Sequence, residues 1–328
     1  MVDHTPRVAL GDAGDHVLAV DIGGTNLRLG LVRRDLAVDG FEIVGSQDML
    51  QVADPLHALG RLVGEYLARH TPGRGPLAVA MGFPGTVDRA RRTVLSTSNI
   101  ESLQNVPIAD YLESVLGVPA VIDRDVNNVL RYDLWDLDVP TAGIVVGCYV
   151  GTGLGNGISI EGRILVGRHG VAGELGHLPG LGLTGRCGCG NIGCIETVAS
   201  GRYFGEMAAA YFPDTPMHHV LSEHVDHPKV REFIRHIATA IASEVNILDP
   251  EAVILGGGVV AAPGFPIEAL EAEVRQLARK PLPANDIRFL HSTGGQLAGV
   301  IGAGISAWDA LALQDPPHLF DTTAGSIR

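Results

Sequence analysis

Lysine is nearly absent. Lys229 and Lys280 are the two in a chain of 328 residues, and 24 basic residues face 37 acidic ones, for a net charge of −13. A nucleic-acid binder needs a basic patch, and the one short basic run, Arg89, Arg91 and Arg92, reads as a solvated turn. The scarcity of lysine also excludes a P-loop, which needs Gly-Lys followed by Ser or Thr; Lys229 precedes Val230 and Lys280 precedes Pro281. No Gly-x-Gly-x-x-Gly follows the first predicted strand, so a Rossmann dinucleotide site is not expected. No stretch of about 18 apolar residues offers a membrane span. The N-terminus lacks a basic segment followed by an apolar one, the mark of a secretory signal. Cysteine is limited to four residues, three of them at metal-ligand spacing, which argues against a disulfide framework. Cys148 stands alone in an apolar run and is expected in the core. These absences describe a soluble, cytoplasmic chain with no nucleic-acid or membrane partner.

Glycine is abundant, at 43 residues, in a chain that is 46% hydrophobic and long enough for two domains. Residues 1–15 read as an irregular leader. An apolar strand over 17–20 runs into Asp21-Ile22-Gly23-Gly24-Thr25-Asn26, and a second strand, 27–32, follows at once. A third strand is expected near 41–44. Leu56, Leu59, Leu62, Val63 and Leu67 share one helical face. The apolar run 77–81 reads as a buried strand ending in the turn Gly82-Phe83-Pro84-Gly85. Pro107 starts and Gly117 stops a short amphipathic helix. The next strand, 120–122, delivers Asp123-Arg124-Asp125 at its C-terminal end, where ligands gather in α/β sheets. Period-2 alternation would put Asp123 and Asp125 on one face, so both remain candidates for acid–base work.

Residues 144–150 open a second copy of the first plan: apolar strand, then Gly151-Thr152-Gly153-Leu154-Gly155, then strand. Two such halves predict an α/β fold of two ribonuclease-H-like, actin- or hexokinase-like domains around a central cleft. The boundary falls near 136–141. A long apolar stripe, from Val230 to Leu248, forms one helix, and Asp249-Pro250 ends it. A strand over 253–255 runs into a third loop, Gly256-Gly257-Gly258. The last helix begins near Gly295, and 315–328 read as a flexible tail.

Glycines in paired loops let backbone N–H groups approach phosphate oxygens. One loop alone would be an ordinary hairpin turn; two, with Gly256–Gly258 as a third, predict ATP. The stretch GELGHLPGLGLTGRCGCGNIGCIET carries His177, Cys187, Cys189 and Cys194. Three thiolates and one imidazole form a tetrahedral zinc set, and four protein ligands leave no open position, so the zinc should be structural.

This stretch, with HGVAGELGHLP, DPEAVILGGGV and Arg124-Asp125-Val126-Asn127, resembles the ROK family of bacterial sugar kinases, over 20–308. Within it the likeness runs to the D-allose kinase branch. The resemblance implies an ATP-dependent hexose kinase acting on the 6-hydroxyl of D-allose, with glucokinase, fructokinase and N-acylmannosamine kinase as alternatives. It implies Asp125 as general base, and Asp21 as the residue that places Mg2+. Asp21, Gly23, Gly24, Thr25, Gly151, Thr152 and Gly153 would hold phosphates, and Gly256, Gly257 and Gly258 the adenosine. Gly85, Asn99, Arg124, Asp125, Glu174, His177 and Glu196 would line the sugar, with His177 serving both zinc and a hydroxyl. The C-terminal helix, about 295–314, would return to the first domain, giving 1–138 plus that helix and 139–294. Family members are commonly dimers or tetramers, so a homo-oligomer is expected. Some are sugar-responsive repressors, but the 20 residues before Asp21 are too few for their DNA-binding domain. One departure stands out. The family usually has Asn before the catalytic Asp, where this chain has Arg124, and the D-allose kinase branch resembles this chain at that position. That arginine either pairs with a carboxylate such as Glu101 or Asp123, or donates to a sugar hydroxyl.

Overall fold

Continuous apolar runs become buried strands here, and amphipathic runs become the helices that cover them. The structure is a computed structural model that describes residues 12–97, 100 and 102–314. Asn99, Glu101, the first eleven residues and the tail from 315 lie outside the described residues. The first half contains β1 (Asp12–Ala13), β2 (His16–Ile22), β3 (Asn26–Arg33), β4 (Val38–Gly45), α1 (Ser46–Leu50), α2 (Pro55–His70), β5 (Arg74–Gly75), β6 (Val79–Phe83), β7 (Gly85–Val87), β8 (Val94–Thr97), α3 (Ile108–Leu116), β9 (Ala120–Arg124) and α4 (Asp125–Asp136). The second contains β10 (Ile144–Val150), β11 (Leu154–Ile160), β12 (Arg163–Ile164), α5 (Gly201–Tyr211), α6 (Val220–Glu223), α7 (Pro228–Leu248), β13 (Ala252–Gly256), α8 (Ile267–Leu277), β14 (Phe289–His291) and α9 (Ala298–Gln314).

Each half builds a five-stranded sheet on the same plan. The orders are β4-β3-β2-β6-β9 and β12-β11-β10-β13-β14. In both, the first three strands form an antiparallel meander, and the last two join in parallel. This is the duplicated α/β fold that the repeated strand–loop–strand pattern predicts. Every residue of β2 is buried, as befits a strand covered on both faces. Leu18, Val20 and Ile22 face α2 and α3, through Leu59, Leu62 and Leu112. Val17 and Ala19 face α9, through Val300, Ala303 and Ala307. In the second sheet Val146, Cys148 and Val150 pack on α7 through Phe233, Ile237 and Ile241. The other face meets α4: Val145, Tyr149 and Ile254 cluster with Leu130 and Val126. So α4 lies between α9 and the second sheet. Gly302 on α9 has no room for a side chain because the Asn128 carbonyl of α4 fills that space.

Three expectations need correction. Asp12–Ala13 are not irregular leader but a short strand paired in parallel with Arg74–Gly75. The basic run is a turn in which Arg89 alone of the three arginines is exposed. Arg91 donates to the Ile122 carbonyl and Ser306, and lies 3.3 Å from Asp123, while Arg92 bonds Asp110 and Glu113. Asp123 and Asp125 do not alternate along one strand, because the strand ends at Arg124 and Asp125 is the first residue of α4. Other boundaries fall where local chemistry sets them. Pro107 precedes α3 and Gly117 ends it in the left-handed region, at φ 69°. No helix among the described residues is long and apolar enough to cross a membrane.

Candidate active site and metal centre

The first loop joins β2 to β3, closed by Gly23 N–H donating to the Asn26 carbonyl at 2.8 Å. At its edge Asp21 is 9% exposed, and Arg28 Nη1 lies 3.2 Å from its Oδ2. Burial raises the Asp21 pKa, and the Arg28 charge opposes that. Gly82 of β6 makes the next approach: a side chain there would come within 2.8 Å of Asn128 Nδ2, 3.3 Å of Asp125 Cα and 3.6 Å of Asp21 Oδ1. The absence of that side chain brings Asp21 and Asp125 to one place. Burial pushes Asp125 up to about 7, and the Asp21 charge adds to it. The Val126 N–H and the Arg124 charge pull the other way. Asp123 is differently placed. It is 4% exposed, pairs with Arg131 at 2.6 Å and accepts from Asn127 at 2.8 Å. Burial pushes its pKa up, but Arg131 and Arg91 outweigh burial and hold it low. Asp123 is committed to the fold.

The second loop joins β10 to β11. Gly151 accepts from Gly201 at 2.8 Å, and Thr152 from the Arg202 backbone at 3.2 Å, so the start of α5 abuts the loop. Gly257, at φ 90°, lies against the Val150 backbone too closely for any side chain. Val259 N–H donates to the Val150 carbonyl at 2.9 Å, which sets the second and third loops side by side. Beside them a cavity of about 250 Å3 is lined by Gly256, Val260, Phe265, Ile267 and Ser292 among others. Its apolar walls and few polar groups suit a flat heterocycle.

The four metal-ligand candidates meet. The donor atoms of His177, Cys187, Cys189 and Cys194 all lie within 4.8 Å of one another. The Sγ atoms of Cys189 and Cys194 are 3.7 Å apart, and Cys187 Sγ is 3.5 Å from His177 Nδ1. A zinc tetrahedron with Zn–S of about 2.3 Å and Zn–N of about 2.0 Å has edges near 3.8 and 3.5 Å, so the residues fit that ion. Bridges Pro179–Cys194 and Arg186–Ile192 pin the stretch that carries them.

Residues from both halves converge here. Arg124 Nη2 reaches Glu174 Oε1 at 2.9 Å, and Nη1 donates to the Ala172 carbonyl. Glu174 Oε2 is 3.5 Å from His177 Nε2. The second nitrogen of His177 therefore faces a carboxylate. Of the partners expected for Arg124, Asp123 accepts its backbone N–H alone, at 2.8 Å, and the side chain goes to Glu174 instead. Glu196 Oε2 accepts from Leu154 N–H at 3.0 Å, joining the metal stretch to the second loop. Gly85 opens β7, in the hairpin with β8. Arg28 was missed by the sequence reading. The signal was present: Asp21 and Arg28 sit opposite each other in the β2–β3 register.

The ROK family pattern matches residues 17–309. The N-acetyl-D-glucosamine kinase of Vibrio cholerae serotype O1 is 30% identical over 262 residues, 73% of this chain and 83% of its own. The glucokinase of Halalkalibacterium halodurans is 29% identical over 315 residues, 88% of this chain and 93% of its own. Among solved structures, a ROK family glucokinase from Streptomyces griseus, in complex with glucose and AMPPNP, is similar at a TM-score of 0.76 and 27% identity. The match covers 90% of this chain and 99% of that one. A pattern that spans nearly all the described residues, on a fold shared with these relatives, means that this chain belongs to the ROK family.

Proposed function

We propose that this protein transfers the terminal phosphoryl group of ATP to the 6-hydroxyl of a hexose, with D-allose as the specific substrate. The coarser part, that it is a sugar kinase, rests on family membership and on relatives named as N-acetyl-D-glucosamine kinase and glucokinase. The observation that carries the mechanism is Asp125. It opens a helix at the cleft, its pKa is near neutrality, and its neighbour Asp123 is spent on arginines. A base with a pKa near the working pH accepts a hydroxyl proton efficiently. Asp125 takes the proton as the sugar oxygen forms its bond to phosphorus and the bond to the ADP oxygen breaks. The three glycine loops hold the nucleotide, with its heterocycle in the cavity beside Gly256. Two acids at one place, Asp21 and Asp125, fit a hard divalent cation. Asp21 would hold Mg2+, which neutralises phosphate charge. His177, Cys187, Cys189 and Cys194 would hold zinc, which would fix the His177 ring and through it Glu174. The halves act as 1–138 with the C-terminal helix, and 139–294.

Arg124 supports the choice of allose, because it stands where the family has Asn and changes what Glu174 offers the sugar. The relatives favour glucose or N-acetyl-D-glucosamine as the second reading. A coupled ADP-release assay on D-allose, D-glucose, D-fructose, N-acetyl-D-glucosamine and N-acetyl-D-mannosamine decides between them. The highest kcat/KM is expected on D-allose. A higher value on another sugar overturns that choice and keeps the kinase; no turnover on any overturns the kinase.

A further inference from the structure

We propose that His291 selects the nucleobase in the cavity beside Gly256 by accepting a hydrogen bond from the exocyclic amine of adenine, and that Glu271 sets the tautomer that can do so; the inference rests on the nucleotide reading above. Successive residues of β14 point to opposite faces of its sheet. Leu290 clusters with Leu130 of α4 on one face. His291, paired in register with Leu255, faces α8 on the other. There its Nε2 lies 2.8 Å from Glu271 Oε1. Glu271 sits one turn along α8 from Ile267, which lines the same cavity as His291. Val260, Ala261, Phe265 and Ile267 give that cavity apolar walls, and His291 and Ser292 supply its two polar side chains. Ser292 has spent its hydroxyl hydrogen on Asp133, at 2.7 Å.

An ionised carboxylate only accepts hydrogen bonds. The ring nitrogen that faces Glu271 therefore carries a hydrogen, and in the neutral imidazole Nδ1 keeps its lone pair. Nδ1 has no partner among the described residues. The ring is half-exposed, so that lone pair is open to a ligand in the cavity. Adenine presents an amine donor on its six-membered ring where guanine and hypoxanthine present a carbonyl acceptor. A lone pair at Nδ1 attracts the amine and repels the carbonyl, which is discrimination by an unfavourable contact as well as a favourable one. Apolar walls grip any of these bases by its faces and do not tell them apart. The choice falls to His291, and Glu271 acts on it as a positioning residue.

The test measures kcat/KM for ATP and for inosine triphosphate, with the preferred hexose of the panel above at saturation, in the full chain and in its His291→Phe and Glu271→Lys variants. Inosine triphosphate keeps the ribose and phosphates and exchanges the amine for a carbonyl. The starting protein should favour ATP by roughly tenfold, about the worth of one hydrogen bond. His291→Phe keeps a ring and loses both nitrogens. Its ratio should fall to near one, with the hexose KM within about twofold of the starting protein. Lysine only donates, so Glu271→Lys makes Nε2 the acceptor and moves the hydrogen to Nδ1. Its ratio should reverse in favour of inosine triphosphate. Lost packing alone would weaken both nucleotides together and reverse nothing. A His291→Phe ratio within twofold of that of the starting protein overturns the proposal, and so does a Glu271→Lys ratio that stays unchanged. If the starting protein turns over no hexose, the kinase reading fails, and calorimetric titration with ADP and inosine diphosphate decides His291: equal affinities, or binding of neither, overturn its role.

Discussion

Asp123 and Asp125 are the same side chain two positions apart, and their surroundings give them opposite uses. Two arginines hold Asp123 ionised, while burial and the charge of Asp21 hold Asp125 near neutrality. As a base, Asp125 must be unprotonated in the free enzyme. For the hexose, kcat/KM should therefore climb as pH rises towards about 7 and level off above it. Asp125→Asn should lose at least ~10²-fold in kcat, the lower range for general-base catalysis, and the remaining activity should show no such rise. An unchanged pH profile in the variant would assign the base elsewhere. Strand alternation alone does not separate the two acids, and the family resemblance is what points to Asp125. Arg124 is no helix-capping residue of the Ser, Thr, Asp or Asn kind, so the start of α4 gave no local signal. Arg124 itself poses a question of recognition. It draws on Glu174 from one side while His177 flanks it from the other. Arg124→Asn frees Glu174 and restores the common pattern. The kcat/KM ratio of glucose over allose should rise by roughly tenfold, about the worth of one hydrogen bond to a charged group. A ratio that stays constant while both values fall would make Arg124 structural.

The metal stretch between His177 and Cys194 is the element most legible in the sequence, because all four ligands fall in one short segment and their chemistry is local. The Arg91–Asp123–Arg131 network is the opposite case. It joins the turn before β8, the end of β9 and the middle of α4, and nothing in a short basic run announces such partners. Arg91 needs that network because burial works against its charge. Zinc should be found at one equivalent per chain in protein purified without added metal. Of the four candidate ligands Cys189 is the exposed one, so Cys189→Ser would remove a zinc bond without hollowing the core. Structural zinc contributes folding free energy. The melting temperature should drop by several degrees, at about 1.5 °C per kcal/mol for a chain of this length. Glu174 lies against His177, so the hexose KM should rise more than the ATP KM. Full stability after chelation, with activity intact, would show that the four side chains hold nothing the fold uses.

At the scale of the molecule, two copies of one plan are held together through α4. Its first residue is the proposed base, and its last turn carries Asp133, which is fully buried. Tyr149 of β10 donates to one Asp133 oxygen at 2.7 Å, and Ser292 to the other at 2.7 Å. Tyr149 leads into the second loop and Ser292 follows β14, so one carboxylate ties the helix of the proposed base to the frame of the proposed nucleotide loops. The repeat of plan was visible because each half presents strand, glycine loop, strand. This tie was not, since Asp133 and Ser292 are 159 residues apart and carry no local signal. Burial raises the Asp133 pKa from 3.8 to about 6, against the pull of the Ser292 and Tyr149 hydrogen bonds. A raised carboxyl pKa means that the fold prefers the protonated acid. That preference is fully present below pH 3.8, is lost as pH climbs to about 6, and stays lost above. At about 1.36 kcal/mol per pH unit the loss approaches roughly 3 kcal/mol. Asp133→Asn keeps the shape, stays neutral, and still offers an acceptor to one hydroxyl and a donor to the other. Urea melts at a series of pH values should find the two proteins close at pH 4. The Asn variant should then gain on the original up to pH 6 and hold a constant lead beyond. Curves that run parallel across that window would mean that Asp133 is ionised throughout, and that its charge is balanced by something other than the two hydroxyls.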